Sequence, residues 1–331
     1  MWIQNWLSNR RQKVGVDGEF SEWAKVTSGV PQGSVLGPIL FQIYINDFDN
    51  SIISKLNKFA DDSKLGKGVT SEEDIECLRK DLRNLEQWSK DWQMQFNTEK
   101  CSVMHLGRNN TASQYMINDI ILNKSEKERD LGVIVDKNLK FSEHCSKVAN
   151  SANVTLGMIR RTIHCKSKSI ITRLYKALVR PQLEYCVQAW RPYLKKDIEK
   201  LEKVQRRATK MISECSRFSY EDRLKITGLP SLEERRNRGD LIEVFKMLKG
   251  FSKIDYRQFF KLAENSRTRG HSYKLVLSRS RLEVRKHFFS QRVVSEWNKL
   301  PTSVVEATSV NCFKNKYDNY VNNRVNSKNC Q

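Results

Sequence analysis

Residues 57–65 read NKFADDSKL. Two aspartates, Asp61 and Asp62, stand side by side between short apolar stretches, on what reads as a tight β-hairpin. Adjacent carboxylates repel, and a turn selected only for stability would more naturally carry Asn-Gly. The pair makes sense where a divalent cation neutralises it. Mg²⁺ takes one or two protein carboxylates and completes its shell with water and phosphate oxygens, and a hairpin holds such ligands rigidly. Two acids on a turn also describe an ordinary solvated loop, so the rest of the chain has to decide.

Working outward, SGVPQGSVLGPILFQIYINDF before the hairpin is a Gly/Pro-rich loop followed by a helix, with Ile39, Leu40, Ile43, Tyr44 and Asp47 at helical spacing. Asp17-Gly18, between alternating stretches, signals an earlier hairpin. After the acidic turn, Ser71 to Asp74 is close to a capping box. It opens a helix whose expected buried stripe is Ile75, Leu78, Leu82, Leu85, Trp88 and Trp92. Three strand-like runs follow: CSVMHLG, QYMINDIIL and DLGVIVD. Beyond Leu139 the pattern turns helical, with candidates at 142–162, 167–179, from Pro181, and 195–213. The last turns Ile198, Leu201, Val204, Ala208 and Met211 inward and Lys200, Lys203, Arg206, Arg207 and Lys210 outward.

Charge is divided unevenly. Of 331 residues, 1–150 carry 20 Lys+Arg against 21 Asp+Glu, and 151–331 carry 39 against 17. A neutral half joined to a strongly basic one suits a site joined to a polyanion-binding surface. Arg206-Arg207 and Arg235-Arg236 favour that reading over solvated lysine faces, since arginine suits phosphate. The eight cysteines form no C-x-x-C pair and suggest a reduced, intracellular setting. His144-Cys145 and His164-Cys165 lack the tight spacing of zinc ligands and read as helix residues. No segment has the apolar length of a membrane span.

The loop SGVPQGSVLGPILFQIYIND followed by FADD resembles the palm of reverse transcriptases, and more narrowly those of non-LTR (LINE-type) retrotransposons. NTEKCSVMHLG, DLGVIVDKNLKFSEHC, LYKALVRPQLEYCVQAW and LEKVQRRATKMI resemble the jockey-like and chicken-repeat-like clade. The resemblance implies an α+β fold: a partial right-hand palm over 1–139, a helical thumb over 140–215 and a basic C-terminal region over 216–331. It implies an RNA-directed DNA polymerase using an RNA template, a DNA primer and deoxynucleoside triphosphates, with two Mg²⁺ (or Mn²⁺) ions in the complete enzyme.

By the same resemblance, Asp61 and Asp62 are catalytic metal ligands. Phe59 and Ala60 shape the turn, Phe59 packing inward and Ala60 leaving room beside the primer end. Pro31, Gln32 and Gly33 lie under template and incoming nucleotide. Lys100 stands near the triphosphate, although the position equally suits a surface lysine. Leu131, Gly132 and Val133 form the primer grip, and their bland reading is a core strand. Lys200, Lys203, Arg206, Arg207 and Lys210 track nucleic-acid phosphates. Trp190 reads as core or as a stacking platform. In the C-terminal region Arg267, Arg269, Arg281, Arg285 and Arg292 are an expected RNA-binding face, with Phe288, Phe289, Val293, Val294 and Trp297 as core.

A complete palm of this family carries a further carboxylate upstream, in a segment resembling Phe-Asp. Only 27 residues precede Ser28, and their sole aspartate, Asp17, sits in an Asp-Gly turn. The expectation is therefore the C-terminal part of a retroelement protein, without fingers or endonuclease and inactive in templated synthesis alone. The alternative is a non-catalytic protein that binds RNA or RNA–DNA hybrid.

Overall fold

Strand alternation fixes the hairpins first. In the computed structural model, which describes residues 1–107, 109–263 and 270–329 with side chains through 324, Lys55–Phe59 pairs antiparallel with Asp62–Gly66. The register sets Leu56 opposite Leu65 and Phe59 opposite Asp62. Leu56 and Leu65 face the core of their unit. Phe59, one phase out, points the other way and is 63% exposed, which corrects the expected inward packing. Arg267 and Arg269 lie outside the described residues.

The chain divides into two compact units, Met1–Ser125 and the residues from Glu126 onward. In the first, the capping box is present: the Ser71 side chain accepts from the N3 backbone, and the Asp74 carboxylate returns to the cap. That box starts a helix running Glu72–Asp91. Its apolar stripe buries Ile75, Leu82 and Leu85 against Ile45, Phe48, Tyr115, Ile117 and Leu122. Trp92 falls just past the helix end and is 42% exposed, so the stripe stops at Trp88. Each fully buried Leu or Ile here contributes roughly 2 kcal/mol of transfer free energy. The expected turn at Asp17-Gly18 is present, both residues at positive φ. QYMINDIIL is itself a hairpin, Met116–Ile117 against Ile120–Ile121, turning at Asn118-Asp119.

In the second unit, DLGVIVD completes a hairpin of Lys127–Asp130 with Val133–Asp136, turning at Leu131-Gly132. Val133 joins the core of the helices that follow, so this hairpin belongs to the helical unit. Helices Ser142–Thr162 and Lys195–Lys210 pack around fully buried Trp190, Leu183, Leu201 and Val204. The expected helix at 167–179 begins as Lys168–Leu174 and widens into a π-turn at Tyr175–Val179. Helix Leu232–Leu248 gives Leu232 to this core. From Leu241 on it feeds a second core around Phe245, Trp297 and Phe313. Phe289, Val293, Val294 and Trp297 are buried as expected, whereas Phe288 is 43% exposed.

Among the described residues the strands form only two-stranded ladders beside a majority of helix, consistent with an α+β class. No described helix is long and apolar enough to cross a membrane.

Candidate nucleic-acid and metal site

Asp61 occupies the turn of the acidic hairpin and Asp62 opens its second strand. Ala60 holds a left-handed φ of 51°, a conformation that costs a non-glycine residue about 1–2 kcal/mol. Both carboxylates are exposed, and neither is hydrogen-bonded or ion-paired within the described residues. Two unengaged carboxylates on a rigid turn match the share that Mg²⁺ takes from protein, so the residues fit a hard divalent cation. Among the described residues no group of three or more His, Cys, Asp or Glu side chains converges to hold a metal by itself. The exposed carboxylates would therefore depend on water and ligand oxygens to fill the ion's shell.

The hairpin is tied down from several sides. On its first strand, the Lys58 ammonium donates to the Ile45 carbonyl at 3.1 Å and to Asp49 Oδ1 at 2.7 Å. That ammonium holds the Asp49 carboxyl below its ordinary range. The turn before the strand is held by Asp81 of the long helix. Its carboxylate accepts from the amides of Ile53 at 3.0 Å and Ser54 at 2.8 Å. Asp81 is fully buried, and its role is invisible in the sequence because it looks like one more charge on an amphipathic helix.

Pro31, Gln32 and Gly33 form a turn ahead of the helix Leu36–Tyr44, with Gln32 and Gly33 exposed. Gly33 has φ 79° and open space where a Cβ would stand, so glycine is required there by the backbone alone. Ser34, which no sequence motif singles out, organises the turn: its Oγ donates to the Pro31 carbonyl at 2.7 Å and accepts from the Gly37 amide at 3.0 Å. Lys100 ends a short 3₁₀ turn, Thr98–Lys100, capped by Asn97, and its side chain is exposed.

In the second unit, Leu131 and Gly132 turn the hairpin at φ 43° and 89°. Tyr185 braces the turn, its hydroxyl donating to the Leu131 carbonyl at 3.1 Å. Val133 is buried, so one residue of the expected grip is core and the other two form the turn. On helix Lys195–Lys210, Lys203, Arg206, Arg207 and Lys210 are exposed along one side. Arg206 lies over the Tyr220 ring at 4.8 Å. Lys200 is half-buried, its ammonium donating to Ser146 Oγ at 2.7 Å. Trp190 has no exposed surface and donates its indole N–H to the Tyr185 carbonyl at 2.7 Å, so it is core and not a stacking platform.

Other expected nucleic-acid arginines serve the fold. Arg292 donates to both oxygens of buried Asp240, at 2.9 and 3.0 Å, and Arg191 adds a third bond at 2.8 Å. Arg235 pairs with Glu184, and Arg236 is only 2% exposed. These positions correct the expectation that Arg235-Arg236 and Arg292 face a polyanion. Arg281 and Arg285 remain exposed. His144 is buried edge-on to Trp190, its Nδ1 accepting from the Ile134 amide, while His164 and Cys165 are exposed.

Residues 1–141, which include the loop at Pro31, the acidic hairpin, Lys100 and the Leu131-Gly132 turn, match the family model of reverse transcriptase (RNA-dependent DNA polymerase). Over that stretch the chain is similar to reverse transcriptases. The chain is 25% identical over 224 residues to the RNA-directed DNA polymerase from mobile element jockey of Drosophila melanogaster, a match covering 64% of this chain and 24% of that protein. It is 25% identical over 226 residues to the probable RNA-directed DNA polymerase from transposon X-element of the same fly, covering 65% and 25%. To the corresponding probable polymerase from its transposon BS it is 26% identical over 229 residues, covering 64% and 25%. The chain thus spans about a quarter of the length of the curated relatives it matches. No solved structure matches. The reverse transcriptase family is divalent-metal dependent, in keeping with the free carboxylate pair at the turn of its hairpin here.

Proposed function

We propose that this chain is the palm-and-thumb portion of an RNA-directed DNA polymerase of the non-LTR retrotransposon type, and that it acts on a DNA primer paired to an RNA template. The observation that carries the reading is the unengaged Asp61-Asp62 pair, one in the hairpin's two-residue turn and the other opening its second strand, inside the matched family region. These two carboxylates would hold Mg²⁺, which when bound lowers the barrier to displacement at phosphorus by neutralising charge on the attacking and leaving oxygens.

The chain's own residues do the rest. The turn at Pro31, Gln32 and Gly33 offers a backbone surface without a side-chain obstacle at Gly33, suited to a base pair lying close against it. Lys100, exposed and cationic, would balance charge on a departing pyrophosphate or give it a proton. The Leu131-Gly132 turn, braced by Tyr185, would steady the primer strand. Lys203, Arg206, Arg207 and Lys210 would follow the phosphates of an A-form hybrid by charge and shape, with no base identity read.

The test has two arms. Mn²⁺ titration of the protein, read as paramagnetic broadening of the Asp61 and Asp62 amides, should show binding that Asp61→Ala removes. Hybrid binding measured between low and physiological salt should fall steeply. Primer extension abolished by Asp61→Ala would establish synthesis by this chain and overturn the expectation that it is inactive alone. Hybrid binding without extension would support the non-catalytic alternative. No broadening at the hairpin together with a flat salt response would sink the polymerase reading.

A further inference from the structure

The helix Glu72–Asp91 does more than supply apolar residues to the core of its unit. Three of its side chains reach the segment that leads into the hairpin's first strand or the loop just before it. Asp81 accepts the Ile53 and Ser54 amides at 3.0 and 2.8 Å. Asn84 donates to the Ser51 carbonyl at 2.7 Å. Trp88 donates its indole N–H to Asp47 Oδ1 at 2.9 Å. Lys55, where the strand begins, directly follows Ser54. The backbone from 51 to 54 is thus held at closely spaced polar groups immediately before the chain commits to Asp61 and Asp62.

Asp81 is the centre of this arrangement. It has no exposed surface and lies on a helix that also buries Ile75, Leu82 and Leu85. A buried carboxylate is expensive unless its charge is met by donors. Here the donors are two successive backbone amides, a geometry that only the anion's pair of oxygens satisfies at once. Burial opposes the charge, but the two amides, together with the Ser54 side chain and the Lys67 charge, more than offset it, and the carboxyl stays below its ordinary range. A neutral amide of the same shape can accept one bond and turns a donor toward the other amide, leaving two N–H groups facing each other in a dry site. A serine, threonine or leucine at this helical position would satisfy the stripe or the surface equally well. The carboxylate is explained chiefly by the amides of Ile53 and Ser54, with the Ser54 hydroxyl and the Lys67 charge adding to them.

We infer that Asp81 is a positioning residue for the metal-binding turn, latching the backbone at Ile53 and Ser54 so that the strand Lys55–Phe59 presents Asp61 and Asp62 at fixed height and register. Asn84 is the auxiliary to this latch. The inference rests on the proposed metal role of the hairpin. It concerns a residue that touches neither metal nor nucleotide and acts through the backbone between.

The experiment compares the wild-type chain with Asp81→Asn and Asn84→Ala. Mn²⁺ affinity is read from broadening at the Asp61 and Asp62 amides, and amide hydrogen exchange is followed at Ile53, Ser54 and along the helix. Asp81→Asn should bind Mn²⁺ about tenfold more weakly, the lower end of what outer partners of metal ligands contribute. Exchange should accelerate at Ile53 and Ser54 while Ile75 and Leu82 stay protected. Asn84→Ala, at a half-buried site that removes one bond, should move affinity in the same direction by about two- to threefold, and it keeps the test open if Asp81→Asn fails to fold. Unchanged Mn²⁺ affinity in a folded Asp81→Asn, or in Asn84→Ala should Asp81→Asn not fold, overturns the latch. Absence of broadening in the wild-type chain instead overturns the metal reading, and the latch's role in it, and is seen before any variant is made.

Discussion

Asp61 is an exposed side chain without a partner among the described residues, on a turn whose neighbour Ala60 holds a left-handed φ of 51°. Nothing in the fold depends on its carboxylate. Asp61→Ala should therefore change unfolding free energy by no more than about 0.5 kcal/mol, as surface substitutions generally do, while removing Mn²⁺ binding. Urea unfolding beside the Mn²⁺ titration separates the two effects. His144 behaves oppositely. Burial, then the nearby Lys147 charge, lowers its pKa from 6.5 to about 4. The folded state keeps it neutral where the unfolded chain would protonate it. Stability from this group is complete above about pH 6.5 and drains away as pH falls toward 4. The loss is about 2–3 kcal/mol across that window. Protonation would also cancel the bond that Nδ1 accepts from the Ile134 amide. Urea melts at pH 7 and pH 4.5 should show this loss in the wild-type chain and a smaller one in His144→Gln. Equal losses in both would mean the histidine is not the responsible group.

At the scale of elements, the polar residues divide into those legible from sequence and those that are not. The acidic hairpin, the Ser71 capping box and the Leu131-Gly132 turn announce themselves through local chemistry, because turns and caps are decided within a few residues. On helix Lys195–Lys210 the apolar stripe and the exposed cations are equally readable from the 3.6-residue period. Glu202 and Gln205 are not. Both are buried: Gln205 donates to the Tyr220 hydroxyl at 3.0 Å and the Pro230 carbonyl at 3.0 Å, and Glu202 accepts from the Leu232 amide. Their partners lie 15 to 30 residues away, so no local pattern marks them. Arg292 misleads for the same reason, since its role is set by Asp240 on another helix. Removing it strands a buried carboxylate with one remaining arginine. Arg292→Ala should destabilise the protein by about 3 kcal/mol, read as a lower denaturation midpoint. Under conditions where it stays folded, the salt slope of hybrid binding should not change.

Across the whole chain, the contrast between 20 against 21 charges in residues 1–150 and 39 against 17 in 151–331 is the property most directly legible in the sequence. The structure shows that the excess is not uniformly available. Lys203, Arg206, Arg207 and Lys210 are exposed, while Arg191, Arg235, Arg238 and Arg292 are paired with Asp240, Glu184 and Asp318. Neutralising the four exposed cations should reduce the salt slope of hybrid binding by about one for each phosphate they no longer neutralise. The same number of substitutions among the paired arginines should unfold the chain first. Fluorescence titrations over a salt series, with thermal melts alongside, distinguish these outcomes.

The pairing of Arg191 and Arg292 with Asp240 has a physiological corollary. Once the fold opens, guanidinium groups that Asp240 neutralises in the native state become available to whatever polyanion is at hand. An unfolded chain would thus be more adhesive toward RNA than the native one, and refolding it beside RNA would select for tangled ribonucleoprotein over native protein.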